Sequence, residues 1–214
     1  MKQYEKEIRQ LPQIQVMKGV WQNDFHEFDV YNHTLDFVRH IKTMTTDDDI
    51  IVAGYLHDIG KPVTAKPKIK NGVWLERSPT QKYHTFENHE AIGEEMVLEM
   101  NPELFGKYNL NQTRTARLVG VHYEPMKGIK QMRKATNFEA YKEAFANLEQ
   151  IIDESNLPKE EVWMMFLADS LSKGKTCTDQ PELETVRDIA LKGIDYAPKK
   201  EVEHLYQLIQ KTYH

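Results

Sequence analysis

Hydrophobic residues recur at helical spacing over most of the chain. Apolar positions three or four residues apart predict one helix across Leu35–Met44 and another that begins behind the acidic run Asp47-Asp48-Asp49. The same spacing predicts further helices at about residues 92–100, 116–123, 137–155, 159–172, 181–193 and 200–212. We therefore predict a mostly α fold.

Residues 63–86 break this pattern. Pro67 and Pro79 interrupt the segment, and Asn71-Gly72 stands between apolar residues on both sides. Asn-Gly is the typical sequence of a type I′ turn, because both of its central residues need a positive φ. A small β-hairpin insertion is predicted here.

Composition and charge indicate the broad class of protein and do not change the predicted fold. The chain has 214 residues, of which 40% are hydrophobic and 29% charged, and no Gly/Ser/Pro-rich linker divides it. We predict a single domain over residues 1–214, with its motif-bearing part at about 11–172 and C-terminal helices at about 181–213. The chain lacks an apolar run of the ~18 residues that a membrane span needs, so we expect a cytoplasmic protein with no membrane partner. The net charge of -5 disfavours a broad polyanion-binding surface but allows a local basic patch.

The residues that could bind a metal are histidines and carboxylates. The single cysteine, Cys177, excludes a CxxC zinc site. Gly60-Lys61-Pro62 is predicted to end the second helix, which places His57 and Asp58 in its last turn. Imidazole and carboxylate together suit Zn, Mn, Fe, Co or Ni better than Ca or Mg. Asp169 shares an apolar helix face, so its charge needs a partner such as a metal or an ion pair.

Five sequence blocks appear in an order that resembles the HD superfamily of metal-dependent phosphohydrolases. They are Asn32-His33-Thr34-Leu35, Leu56-His57-Asp58-Ile59-Gly60-Lys61, Asn88-His89-Glu90, Val119-Gly120-Val121-His122 and Leu167-Ala168-Asp169. The resemblance implies an HD-domain helical bundle in which a first metal is bound by His33, His57, Asp58 and Asp169. It also implies a second metal at His89 and His122, bridged by Asp58. Without a second metal, the last two histidines would hydrogen-bond phosphate or a metal-bound water.

The resemblance is closer to the HD module of the tRNA nucleotidyltransferase and poly(A) polymerase family. Residues 25–34 are similar to the opening of that module, and residues 86–93 to its hairpin end and following helix. No Gly-rich loop with paired catalytic aspartates is present, so nucleotide polymerisation is not implied.

Three further residues receive roles from the resemblance. Lys61 would bind a substrate phosphate and assist catalysis with Asp58; alternatively, it is a cation that complements the end of a helix. His26 and His84 would bind substrate at the rim of the site, or else are solvated surface histidines. The basic run from Lys127 to Lys134 is expected to be a solvated loop, with a place at the mouth of the cleft as the alternative.

The predicted function is hydrolysis of a phosphoester or phosphoanhydride of a nucleotide-like substrate through a metal-activated water. The expected cofactor is one or two divalent ions (Mn, Fe, Co, Ni, Zn or Mg), and the expected partner is a small phosphorylated molecule. The alternatives are hydrolysis of RNA ends or cyclic phosphodiesters, a non-catalytic nucleotide- or metal-binding regulatory module, and a di-iron oxygenase. The oligomeric state stays open.

Overall fold

The computed structural model describes residues 1–174 and 182–213, and Cys177 and His214 lie outside them. The chain divides into two compact units. The first contains residues 1–120 and the described part of 168–178, and the second contains residues 121–167 and the described part of 179–214. The expectation of a single domain over the whole chain stays a prediction.

Helices dominate both units, as predicted. In chain order they are α1 (Gln3–Gln10), α2 (Pro12–Gln15), α3 (Val30–Met44), α4 (Asp48–Leu56), α5 (Lys61–Thr64), α6 (His89–Leu98), α7 (Pro102–Lys107), α8 (Gln112–Val121), α9 (Glu124–Lys134), α10 (Phe138–Glu154), α11 (Lys159–Leu171), α12 (Glu182–Lys192) and α13 (Lys199–Tyr213). The strands are β1 (Ala65–Pro67), β2 (Ile69–Lys70), β3 (Val73–Trp74), β4 (Glu76–Ser78), β5 (Gln81–Lys82) and β6 (His84–Phe86).

Two capped helices, α3 and α4, pack together in the first unit. The Asp29 carboxylate accepts the backbone N–H of Asn32 at the start of α3, and the Asp47 carboxylate accepts two backbone N–H groups at the start of α4. These caps satisfy donors that a helix leaves unpaired at its first turn. Every residue from position 50 to 56 is buried, so α4 forms a central part of this unit. The packing places His33, in the first turn of α3, near the C-terminal end of α4.

The end of α4 differs from the sequence prediction. The helix ends at Leu56, and His57 is its C-cap residue rather than part of its last turn. Lys61 and Pro62 do not simply stop a helix; they begin the short helix α5 after a tight turn. Proline is compatible with the first turn of a helix, because the N–H that it lacks has no partner there.

The predicted β insertion is confirmed, but it is more elaborate than one hairpin. Three antiparallel strand pairs, β1–β6, β2–β3 and β4–β5, make up residues 65–86, which we call the ribbon. Asn71 and Gly72 have φ values of 52° and 76°, as a type I′ turn requires. Backbone hydrogen bonds among Lys68, Leu75 and Tyr83 join the three pairs.

The second unit contains its own apolar core and one clear departure from the sequence prediction. Residues 127–134 were expected to be a loop, but they belong to helix α9. Pro125 lies in the first turn of this helix, so it starts the helix instead of ending the preceding one. Met126, Ile129 and Met132 form its buried face, which packs against α10. The remaining core side chains include Tyr141, Phe145, Leu148, Ile152, Val162, Trp163, Phe166, Val186, Ile189, Leu205 and Ile209.

Among the described helices, none combines the length and the apolar character needed to cross a membrane.

Candidate metal centre

Two histidines meet in the buried interior of the first unit. His33 and His57 are both fully buried, and their Nε2 atoms are 3.3 Å apart. The ring of Phe37, one turn after His33 on α3, stacks on the His57 ring with a centroid distance of 4.2 Å. Packing against α3 therefore fixes the plane of the His57 imidazole.

Backbone carbonyl groups fix the tautomers of these histidines. The Nδ1 of His57 lies 2.8 Å from the carbonyl oxygen of Gly54, to which it donates its hydrogen. The Nδ1 of His33 lies 3.0 Å from the carbonyl oxygen of Ser172 and 3.1 Å from the hydroxyl of the same residue. That hydroxyl uses its own proton in a 2.8 Å hydrogen bond to the carbonyl of Asp169, so it accepts from His33. In the neutral form of both rings, the Nε2 lone pairs face each other.

Two carboxylates complete this donor set. Asp169 Oδ1 lies 2.9 Å from Nε2 of His33, and Asp58 Oδ2 lies 3.2 Å from Nε2 of His57. Facing lone pairs and carboxylate oxygens repel one another unless protons or a metal ion lie among them. Neighbouring nitrogen ligands of one ion are about 2.9 to 3.4 Å apart when each metal–nitrogen bond is ~2.0 to 2.1 Å. The arrangement of His33, His57 and Asp58 therefore fits a divalent ion in both chemistry and spacing.

Asp58 presents its second oxygen to a different histidine. His89, the first residue of α6, is buried, and its Nε2 lies 3.5 Å from Asp58 Oδ1. Its Nδ1 is 2.9 Å from the carbonyl oxygen of Phe86, so it follows the pattern of the other two histidines. Asp58 thus faces His33 and His57 with one oxygen and His89 with the other, as a bridging ligand would.

The third predicted ligand of a second metal, His122, belongs to the second unit. It is buried and directly follows the last residue of α8. Its share in a second metal site stays a prediction.

Neighbouring charges keep the carboxylates ionised despite their burial. Burial raises the pKa of Asp58, but the interaction with His57 and the charge of the Lys61 ammonium outweigh it, and the pKa lies well below its usual range. Burial likewise raises the pKa of Asp169, while the His33 hydrogen bond and the charge of Lys173 lower it further than burial raises it. Burial and the charge of Lys61 lower the pKa of His89. Ionised carboxylates and a neutral imidazole are the protonation states that a metal site requires.

Lys61 is a buried cation beside this centre. Its ammonium donates to Asp58 Oδ2 over 2.7 Å and to the side-chain oxygen of Gln22 over 2.6 Å. It stands in the first turn of α5 and is 7% exposed. Lys61 therefore lies beside Asp58, the residue with which the sequence analysis grouped it.

Gln22 is a site residue that the sequence analysis missed. Its side chain is 1% exposed, and the side-chain nitrogen has no hydrogen-bond partner among the described residues. Because the side-chain oxygen accepts from Lys61, the amide donors lie next to the ammonium. A single glutamine outside any motif gives no signal in the sequence, and contacts with distant segments place it here, among them the backbone bond from His84 N–H to the Gln22 carbonyl.

His26 and His84, the two histidines predicted at the rim of the site, have the following contacts. The His26 ring packs edge-on against the His33 ring at 5.2 Å, and burial lowers its pKa well below the usual range. His84 is partly buried, and its Nδ1 lies 2.9 Å from the carbonyl oxygen of Trp21. Neither is a fully solvated histidine, and their roles in binding substrate stay predictions.

A close backbone approach positions His89. A Cβ atom placed on Gly60 would lie 2.1 Å from the carbonyl oxygen of His89 and 2.9 Å from the backbone nitrogen of Gly93. The turn that follows Asp58 therefore lies directly against the first turn of α6. Glycine is required here for space, since its φ of -73° is open to any residue.

Comparison with known proteins agrees with this geometry. The family model described as "HD domain" matches residues 30–173, a range that includes every predicted metal ligand. The A-adding tRNA nucleotidyltransferase of Deinococcus radiodurans is 28% identical over 92 residues, which make up 42% of this chain and 19% of that protein. The chain therefore covers only about a fifth of the length of this relative. No solved structure gave a match.

Proposed function

Because the chain belongs to the HD domain family, whose members are usually metal-dependent hydrolases, we propose that it hydrolyses a phosphoester or phosphoanhydride of a nucleotide-like substrate. The observation that carries this proposal is the meeting of two imidazole lone pairs and two carboxylates in a buried centre. The substrate class rests on the adjacent cationic and amide donors, which suit phosphoryl oxygens.

The proposal gives metal-binding roles to some residues and phosphate-binding roles to others. His33, His57, Asp58 and Asp169 would hold one divalent ion, and His89 would help to hold a second one at the other oxygen of Asp58. Such ions supply an activated water and neutralise charge on a phosphoryl group. Lys61 and Gln22 would donate hydrogen bonds to phosphoryl oxygens as negative charge grows there. In the reaction, a water oxygen bonds to phosphorus, the bond to the leaving oxygen breaks, and that oxygen takes up a proton.

Elemental analysis of protein purified without chelator tests the centre directly. We expect about two divalent ions per chain, reduced to one or fewer in His89→Ala and in His33→Ala. The amount of bound metal should fall as the pH is lowered, because protons compete with the metal for imidazole nitrogens and carboxylates. His40→Ala is the matched control for His33→Ala, since His40 lies on the same helix but pairs with Asp36 at the surface.

Protein that binds no metal, even after addition of Mn, Fe, Co, Ni or Zn, would contradict the hydrolytic proposal. It would favour the alternative of a non-catalytic binding module. A full metal content with no turnover of aryl phosphates, phosphodiesters or nucleotides would also contradict the hydrolytic proposal.

Gln22→Leu tests the phosphate-binding role of the amide. We expect inorganic phosphate to bind the metal-loaded variant about tenfold more weakly, because a hydrogen bond to a charged group contributes roughly 1.5 to 3 kcal/mol. Isothermal titration calorimetry measures this without a known substrate. Gln150→Leu, on the exposed face of α10, is the control. Equal phosphate affinity in Gln22→Leu and wild type would rule out a contact between Gln22 and the anion.

A further inference from the structure

The ribbon is basic in an acidic chain. Residues 65–86 contain five of the 28 lysine and arginine residues but only one of the 33 acidic residues. The basic residues are Lys66, Lys68, Lys70, Arg77 and Lys82. Lys66 and Lys68 pair with exposed carboxylates of Glu87 and Asp24, which are surface contacts of little net strength. A polyanion could displace them at small cost.

One face of the ribbon carries apolar and aromatic side chains. Strand pairing places Ile69 opposite Trp74, Pro67 opposite His84 and Ala65 opposite Phe86, and directly opposed residues share a face. Ile69 is 62% exposed and Trp74 is 38% exposed, although both are large hydrophobic residues. The indole N–H of Trp74 donates to the carbonyl of Tyr83 over 2.6 Å, so the ring is held in place while it faces solvent.

The rings form a continuous path to the metal centre. The Trp74 and His84 rings are 5.4 Å apart, and the His84 and Phe86 rings are 6.2 Å apart. The Lys61 ammonium then lies 5.5 Å from the centre of the Phe86 ring and 2.7 Å from Asp58. All of these residues belong to the first unit.

We infer that the ribbon binds single-stranded nucleic acid and directs its phosphorylated end to the metal centre. Exposed aromatic rings on a lysine-rich ribbon suit this ligand, because bases stack on the rings while the lysines contact the phosphates. A mononucleotide would engage only the rings nearest the centre and leave Trp74 and Ile69 unused. The inference rests on the proposed function for hydrolysis of the bound end. Binding of the strand to the ribbon does not depend on that function.

Fluorescence anisotropy with a fluorescein-labelled twelve-residue uridine strand tests binding separately from hydrolysis. The experiment uses the whole protein with EDTA, so that the strand is not cleaved. Trp74→Ala should weaken binding about tenfold, as loss of base stacking does. Lys70→Ser should reduce the slope of log affinity against log salt by about 0.7, the value for one phosphate contact on a single strand. The corresponding deoxythymidine strand shows whether the sugar matters.

Two controls separate recognition from folding. Tyr196→Ala with Lys200→Ser removes an exposed aromatic and an exposed lysine from the second unit and should leave affinity unchanged. Trp74→Phe keeps a ring but loses the hydrogen bond to Tyr83, and it should bind nearly as well as wild type. If Trp74→Phe bound as weakly as Trp74→Ala, stacking would not explain the loss and the inference would be overturned.

Hydrolysis provides the second half of the test. A phosphorylated twelve-residue strand should be cleaved with about tenfold higher kcat/KM than a mononucleotide, and Trp74→Ala should remove this preference. If the strand and the mononucleotide were cleaved at equal rates and binding did not depend on the ribbon, the inference would be overturned and the proposed function would stand. Ribbon-dependent binding without any hydrolysis would support binding by the ribbon and contradict the proposed function. Competition by polyglutamate as strong as by the strand would also overturn the inference, since that would indicate general attraction of anions.

Discussion

Replacing Asp58 with asparagine is expected to reduce phosphoester hydrolysis at least about 10³-fold and to remove most bound metal. The carboxylate faces His33 and His57 with one oxygen and His89 with the other, so its loss affects both donor sets. Asparagine has nearly the same shape but replaces one oxygen with an amide nitrogen, which does not bind a divalent ion. Stabilisation of phosphoryl charge by metal ions contributes several kcal/mol to the barrier, and each 1.36 kcal/mol changes the rate tenfold.

The same substitution leaves the Lys61 ammonium buried without its carboxylate. Breaking a buried ion pair by removing one partner costs roughly 3 to 5 kcal/mol, so Asp58→Asn could lose activity by unfolding. Asp58→Asn combined with Lys61→Met removes both charges and should recover much of the stability, as measured by thermal unfolding, without recovering activity. Asp36→Asn, at the surface of α3, is the matched control for both measurements. Full turnover by folded Asp58→Asn would show that this carboxylate is not part of the reaction.

Gly60→Ala is expected to destabilise the first unit by roughly 1 to 3 kcal/mol, the usual cost of forcing an extra methyl group into a packed interior. The new Cβ would meet the backbone of His89 and Gly93 rather than a side chain that can rotate away. Relief of the clash requires α6 to shift, which moves the His89 imidazole away from Asp58. We therefore also expect loss of about one metal ion per chain.

Urea denaturation and elemental analysis of the same sample measure the two effects together. Gly106→Ala is the control, because a Cβ there meets no atom within 4 Å and Gly106 lies in helix α7. That variant should be as stable as wild type or up to about 1 kcal/mol more stable. A Gly60→Ala protein with wild-type stability and metal content would contradict the close approach of the two segments.

Local signals in the sequence predicted the framework well. The acidic run before α4 predicted its start, because Asp47 caps the helix. Asn71-Gly72 predicted the hairpin, because few other pairs accept two positive φ values. Proline was harder to interpret, since the same residue can end one helix or begin the next. The sequence analysis treated Pro62 as a terminator, but it lies in the first turn of a helix, as Pro125 does.

The candidate site was predictable only where motifs mark it. His33, His57, Asp58 and Asp169 were grouped through a family resemblance, and the structure brings them together. Gln22 and the space around Gly60 depend on contacts between segments distant in the chain, which no local pattern encodes. The acidic net charge likewise conceals the ribbon, because a sum over the chain hides how charge is distributed.

The contact between His33 and Asp169 joins residues 136 positions apart. Such a contact has to close a long loop, so it forms slowly during folding and only after most of the chain has been synthesised. An ion bound to both residues would hold residues 168–174 against the N-terminal part of the first unit. Because such an ion binds the folded state and not the separated segments, it would stabilise the protein by an amount that rises with the logarithm of its free concentration, and the supply of metal in the cell would then affect how long the folded chain survives.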